Sequence, residues 1–211
     1  MRLETGAAAT VLATALAVAP MLVALHPEPA NALSWPTWMV HVSSIIEWLV
    51  AMAYIWRYAA VSGLQQWKGL TWGMLPLHTS GLCACTYHIL YNSPDVVGLV
   101  ALQAGLTCFG NATMAAATYR IWQAGKAGDL QAGESVTADP SEANDATFYG
   151  QLVAMTVIGA ALVKWGELLV DFPFEPSYAA AAALIFGPTA VNVYKWYERS
   201  QKPDSAVTGL F

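Results

Sequence analysis

Six apolar stretches, each about as long as a bilayer is thick, dominate this chain: residues 6–25, 37–58, 70–91, 96–121, 148–170 and 177–197. About 20 apolar residues in helical form cover a hydrocarbon core. The runs are continuous and lack the period-two alternation of barrel strands, so strands are excluded. The expected fold is all-α: a polytopic transmembrane helix bundle of five helices, plus an N-terminal apolar signal or anchor segment. Composition agrees. Charged residues make up 11% of the 211 residues, against about 25% in a soluble domain, too few to solvate a surface of this size.

The first run follows Arg2 and ends in His26-Pro27-Glu28-Pro29 and Ala30-Asn31-Ala32. A basic start, an apolar core and a small-x-small triplet are the grammar of an export signal, here cut after Ala32. An uncleaved anchor is the competing reading, because the apolar run is longer than most signal cores. The expected organisation is a signal-like or anchor segment at 1–32, a three-helix membrane region at 33–124 and an acidic flexible loop at 125–146. A two-helix membrane region at 147–199 and a polar tail at 200–211 follow. The loop carries Asp129, Glu134, Asp139, Glu142 and Asp145 among Gly, Ser and Pro, a composition that cannot bury a core.

Alternating the runs across a bilayer sorts the basic residues. Eight of the nine basic residues, Arg2, Arg57, Lys68, Arg120, Lys126, Lys195, Arg199 and Lys202, fall on one side, and the ninth, Lys164, lies within the fifth run. The positive-inside rule places that side, with the 125–146 loop and the C-terminus, in the cytoplasm or stroma. Trp35, Trp38, Trp56, Trp67, Trp72, Trp122 and Trp196 lie at run ends, where amphipathic rings favour the interface. The net charge of −5 and the lack of a basic run exclude nucleic acid as a partner. The expected partners are the lipid bilayer and other membrane-protein subunits.

Lipid tails are as apolar as leucine, so helices associate through small residues and polar contacts. Ala104, Cys108, Ala112 and Ala116 form one small-residue stripe, and Ala179, Ala183 and Gly187 another. Both are read as helix-packing faces. Cys83, Cys85 and Cys108 read as small buried packing residues, since Cys83-Ala84-Cys85 is too tight for a CxxC metal or redox motif. Pro76 and Pro188 should kink their helices and free carbonyls for neighbouring donors.

Ionisable groups at membrane depth are candidates for function. Glu47 and His78 lie near the middle of adjacent antiparallel runs and are read as a buried polar pair. A register-fixing clasp and a proton- or ligand-handling pair are the two alternatives. His41 and His88 share a depth near the opposite end of the same two helices, the disposition that axial ligation of a tetrapyrrole requires. An ordinary interfacial belt would look the same. Lys164, Glu167 and Asp171 read as a charge-compensated stripe. No GxSxG, HExxH or phosphate-cradling glycine loop is present. No catalytic residue, metal site or resident cofactor is therefore expected, with haem or chlorophyll as the alternative.

Several segments carry a resemblance: residues 38–48 (WMVHVSSIIEW), 67–78 (WKGLTWGMLPLH), 83–88 (CACTYH) with Tyr91-Asn92, 102–107 (LQAGLT) and 110–113 (GNAT). Over 34–121 the chain resembles the hypothetical chloroplast open reading frame forty-nine family of cyanobacterial and plastid membrane proteins. That resemblance implies an oxygenic phototroph and a thylakoid, inner-envelope or cyanobacterial membrane. The family supplies no catalytic residues. With only Arg2 basic ahead of the first run, the N-terminus is a poor plastid transit peptide, which points to a plastid-encoded or cyanobacterial chain or to a missing upstream peptide. The leading expectation is a non-enzymatic membrane subunit or assembly factor of a photosynthetic or plastid complex. A tetrapyrrole-binding subunit built on His41 and His88 is the first rival, and a small transporter using Glu47, His78 and the Pro76 kink is the second.

Overall fold

The computed structural model describes residues 27–128, 145–166, 168 and 175–203, and the expected N-terminal run, most of the acidic loop, Glu167 and Asp171 lie outside them. Five α-helices account for most of the described chain: α1 (Trp35–Ser62), α2 (Lys68–Ile89), α3 (Gly98–Ala127), α4 (Asp145–Gly166) and α5 (Tyr178–Ser200). Among the described residues there is no strand. Three of the helices, α1, α3 with its preceding turn, and α4, are long and apolar enough to cross a membrane.

Local chemistry sets the helix ends. Ser34 accepts the Thr37 amide at the start of α1, with Pro36 in the first turn, and Gly63 closes α1 in the left-handed region at φ 71°. A 3-10 turn, Gln65–Trp67, feeds α2. Tyr91 and Asn92, at φ 53° and 56°, reverse the chain between α2 and α3. Ser93 then caps a second 3-10 turn, Pro94–Val96. Ser177 caps α5 by accepting the Ala180 amide.

The helix α2 is the centre of the bundle, touching α1, α3 and α5, while α4 packs on the far side of α1. Its neighbours enclose Thr71, His78, Thr79, Ser80 and Thr86, all buried, so the polar side chains of α2 face the inside of the bundle. The α2–α3 hairpin is the tightest contact. Thr113 donates to the Gly73 carbonyl at 2.7 Å, and Ser80 bonds the Gln103 carbonyl at 3.0 Å and the Thr107 hydroxyl at 2.7 Å. Trp48 of α1 donates to the Met74 carbonyl at 3.0 Å. Donors from two helices thus reach carbonyls in the turn before Pro76, as expected of a proline-weakened turn.

The helix α5 runs antiparallel to α2, with Thr79 and Thr189 hydroxyls 3.3 Å apart. Two apolar clusters flank this contact. One gathers Cys83, Leu90, Val96, Leu99, Ala181 and Ile185, the other Met52, Ala53, Trp56, Met74 and Trp196. At the second end, Lys68 stands 5.1 Å from the Trp56 ring and Arg199 5.5 Å from the Trp196 ring, with Lys126 over Trp122 at 3.9 Å. Three basic residues, each over a tryptophan ring, therefore gather at one end of the bundle. The outer surface is apolar and aromatic, with Val40, Phe109, Tyr149, Val153, Leu162, Val191 and Tyr194 each about three-fifths exposed.

Both small-residue stripes correct the expectation. Ala104, Cys108, Ala112 and Ala116 are exposed, and so are Ala179, Ala183 and Gly187. Among the described residues, neither stripe is covered by another helix. The packed face of α3 is offset by about half a turn and uses Leu106, Thr107, Gly110 and Thr113. There a Cβ on Gly110 would meet the Leu77 backbone nitrogen at 2.9 Å, so only glycine permits the approach. Of the three cysteines, Cys83 is buried, Cys85 half-buried and Cys108 exposed.

Candidate functional site

Three polar features remain once the helices are packed. The first is at the end opposite the basic residues. His41 of α1 and His88 of α2 meet there, ring centroids 4.8 Å apart and planes at 83°. His41 Nδ1 lies 2.9 Å from the Thr37 carbonyl one turn earlier. His88 Nδ1 lies 2.6 Å from Asn92 Oδ1, one turn later. The Asn92 amide nitrogen in turn donates to the Asn31 carbonyl at 3.3 Å. The buried Trp38 ring flanks both imidazoles, at 5.9 Å and 6.4 Å. The equal depth expected of these histidines is thus realised as direct contact. A tetrapyrrole between two trans imidazoles holds its metal about 2 Å from each nitrogen, with the macrocycle between the rings. Rings in edge contact leave no slot for that plane.

The second feature is His78. It is 4% exposed, and neither ring nitrogen has a hydrogen-bond partner. The indoles of Trp56 and Trp196 and the Asn192 amide nitrogen are also buried and unpartnered. The expected Glu47–His78 pair is not formed. On α1, Trp48, Met52 and Trp56 form the stripe that meets α2. Glu47 precedes that stripe by one residue, a rotation of about 100°, and is exposed.

The third feature is where Glu47 does point. Together with Val40 and Ser43 of α1 and Val153, Thr156 and Val157 of α4 it lines a lateral groove of about 510 Å³. Glu47 is the twelfth residue after Trp35 in a 28-residue helix, close to its middle. Among the described residues, no hydrogen bond or ion pair reaches its carboxylate.

Of the expected Lys164, Glu167 and Asp171 stripe only Lys164 lies among the described residues. Its ammonium binds the Glu28 carboxylate and the Leu33 carbonyl, the latter at 2.8 Å. It thereby fastens the segment preceding α1 to the end of α4, where Trp35 and Trp165 also touch at 5.8 Å. A partner 136 positions away has no spacing signature. The roles of Thr37 and Asn92 did have one, since each stands four residues from its histidine. Among the described residues, no three His, Cys, Asp or Glu side chains gather to hold a metal ion.

An all-helical bundle of antiparallel helices, apolar on its outside and polar at its centre, defines the class: a polytopic membrane protein. A family described as "Protein of unknown function (DUF2499)" matches residues 32–120, which are α1, α2 and most of α3. The chain belongs to the Ycf49-like family. It is 50% identical over 93 residues to the Ycf49-like protein of Synechocystis sp., covering 44% of this chain and 89% of that relative. It is 36% identical over 84 residues to the uncharacterized protein ycf49 of Cyanophora paradoxa, covering 40% of this chain and 82% of the relative. No solved structure matches. Both relatives are little longer than the matched segment, so α4 and α5 add to the family's three-helix unit.

Proposed function

We propose that the protein is a non-enzymatic membrane subunit or assembly factor of a photosynthetic or plastid membrane complex, and that it docks a partner helix along the α1–α4 groove. The observation that carries this is the exposed Glu47 carboxylate at mid-helix, unpaired among the described residues. An acidic group at bilayer depth costs about 3 kcal/mol on insertion scales and is stabilised by a donor brought by another helix. Ser43 and Thr156 add hydroxyls beside it, and interhelical hydrogen bonds of that type contribute roughly 0.6–2 kcal/mol each. The occupant this fits is a membrane helix presenting a basic or amide side chain. Relatives in a cyanobacterium and in Cyanophora support the photosynthetic setting. The groove lies between two neighbouring helices, with Val40, Glu47 and Val153 on its walls exposed, which favours docking over transport.

A photo-crosslinking residue at Val153 tests the reading in native membranes. The expected result is one discrete protein adduct that disappears in Glu47→Leu while the chain still accumulates. Adducts to lipid alone, or an adduct indifferent to Glu47→Leu, would refute it.

A further inference from the structure

We propose that His41 and His88 together bind one first-row divalent transition cation, such as zinc or copper, through their Nε2 atoms. The tautomers come from the partners. A backbone carbonyl only accepts, so the 2.9 Å contact with Thr37 puts the proton on His41 Nδ1. Asn92 spends its amide nitrogen on the Asn31 carbonyl, which turns its Oδ1 to His88, so His88 Nδ1 also donates. Each neutral ring is left with a lone pair on Nε2, and among the described residues no protein donor satisfies either one. Imidazoles that ligate metals are held in this way, the far nitrogen donating to a carbonyl or amide oxygen that fixes tautomer and ring orientation.

The spacing fits as well. Two imidazoles on one tetrahedral cation, with metal–nitrogen distances of about 2.0–2.1 Å, place their ring centroids about 5 Å apart. The observed 4.8 Å matches that arrangement and is too short for a trans pair across a macrocycle. Both rings are half-buried at the bundle end, within reach of water-borne ions. With no carboxylate or thiolate joining them, the remaining coordination positions are left to water. Imidazole suits zinc, copper and nickel rather than magnesium or calcium. Tyr91 and Asn92, both held in the left-handed region, form the turn that delivers the Asn92 side chain to His88.

The test uses the full chain in mild detergent, purified with a tag free of histidine and titrated separately with Zn²⁺ and Cu²⁺. The expected result is one equivalent of bound metal and a Cu²⁺ paramagnetic resonance spectrum split by two imidazole nitrogens. His41→Ala and His88→Ala should each abolish stoichiometric binding. Asn92→Ala should weaken it about 10–100-fold, and His78→Ala, at an enclosed site, should leave it intact. Absence of stoichiometric binding, binding that survives the double His41→Ala/His88→Ala change, or coupling to fewer than two nitrogens would overturn the proposal. So would a bis-imidazole haem spectrum on adding haemin, since those rings must then stand further apart. The wild-type spectrum decides the matter even where a variant fails to fold.

Discussion

Gly110→Ala probes the closest approach in the bundle. The added Cβ would lie 2.6 Å from Leu77 Cγ, 2.9 Å from Leu77 N and 3.3 Å from Leu77 Cα. The side-chain atom can rotate away, but the backbone nitrogen cannot. Ordinary contact lies near 3.5–4.0 Å, so α2 and α3 must part by roughly half an ångström or more. Overpacking of this kind costs about 1–3 kcal/mol. Parting the helices also stretches the Thr113–Gly73 and Ser80–Thr107 bonds, both 2.7 Å, each contributing about 0.6–1 kcal/mol. Against this stands a gain of about 0.5–1 kcal/mol from replacing a mid-helix glycine. The balance is a loss of about 2 kcal/mol. Gly105→Ala is the matched control, since a Cβ there meets nothing within 4 Å, and it should be neutral or stabilising by up to about 1 kcal/mol. Reversible unfolding from mild detergent into dodecyl sulfate, followed by tryptophan fluorescence, measures both. A Gly110→Ala protein as stable as Gly105→Ala would refute the reasoning.

The other expectations concern charge and polarity. Glu28→Gln removes the anion from the buried Lys164 ammonium, and a loss of about 1–3 kcal/mol is expected in the same unfolding assay; an unchanged midpoint would mean the ion pair contributes nothing. His78→Leu replaces two unpartnered ring nitrogens with an apolar side chain of similar size, so stability should hold or rise by about 1 kcal/mol. A marked loss would show that His78 has a partner absent from this structure. Protease added to the side bearing the basic residues should cut within 125–145 and leave two protected fragments, whereas cutting only from the other side would contradict the helix alternation.

Much of the fold was legible in the sequence, because hydrocarbon thickness, charge sidedness and capping residues are local signals. Helix α1 begins two residues before its apolar run and α2 likewise, and Ser34, Gly63 and Ser177 sit at the ends they cap. Which face of each helix turns inward was not legible. In a bilayer an alanine or leucine is equally at home against lipid and against protein, so apolar periodicity does not mark the core as it does in water. Hence the exposed stripe Ala104–Cys108–Ala112–Ala116 was indistinguishable from the packed set offset from it. Glu47 was likewise read onto the wrong face, one residue from the Trp48 stripe. His41 and His88 escaped this ambiguity, since near a helix junction depth alone brings two antiparallel positions together.

The clasp on Lys164 bears on how the chain matures. The peptide bond after Ala32, where the sequence pattern leads one to expect an export cut, lies between the two groups that Lys164 grips, Glu28 and the Leu33 carbonyl. The Ala32 amide is also drawn back to the Pro29 carbonyl at 3.0 Å, away from the extended form in which proteases take their substrates. Cutting there would remove Glu28 and turn Leu33 into a charged amino terminus beside a buried ammonium. An attractive contact would become a repulsive one, and Asn92 would lose the Asn31 carbonyl that orients it towards His88. The Lys164 clasp and the Asn31–Asn92 contact therefore both depend on residues 28–33 staying joined to α1.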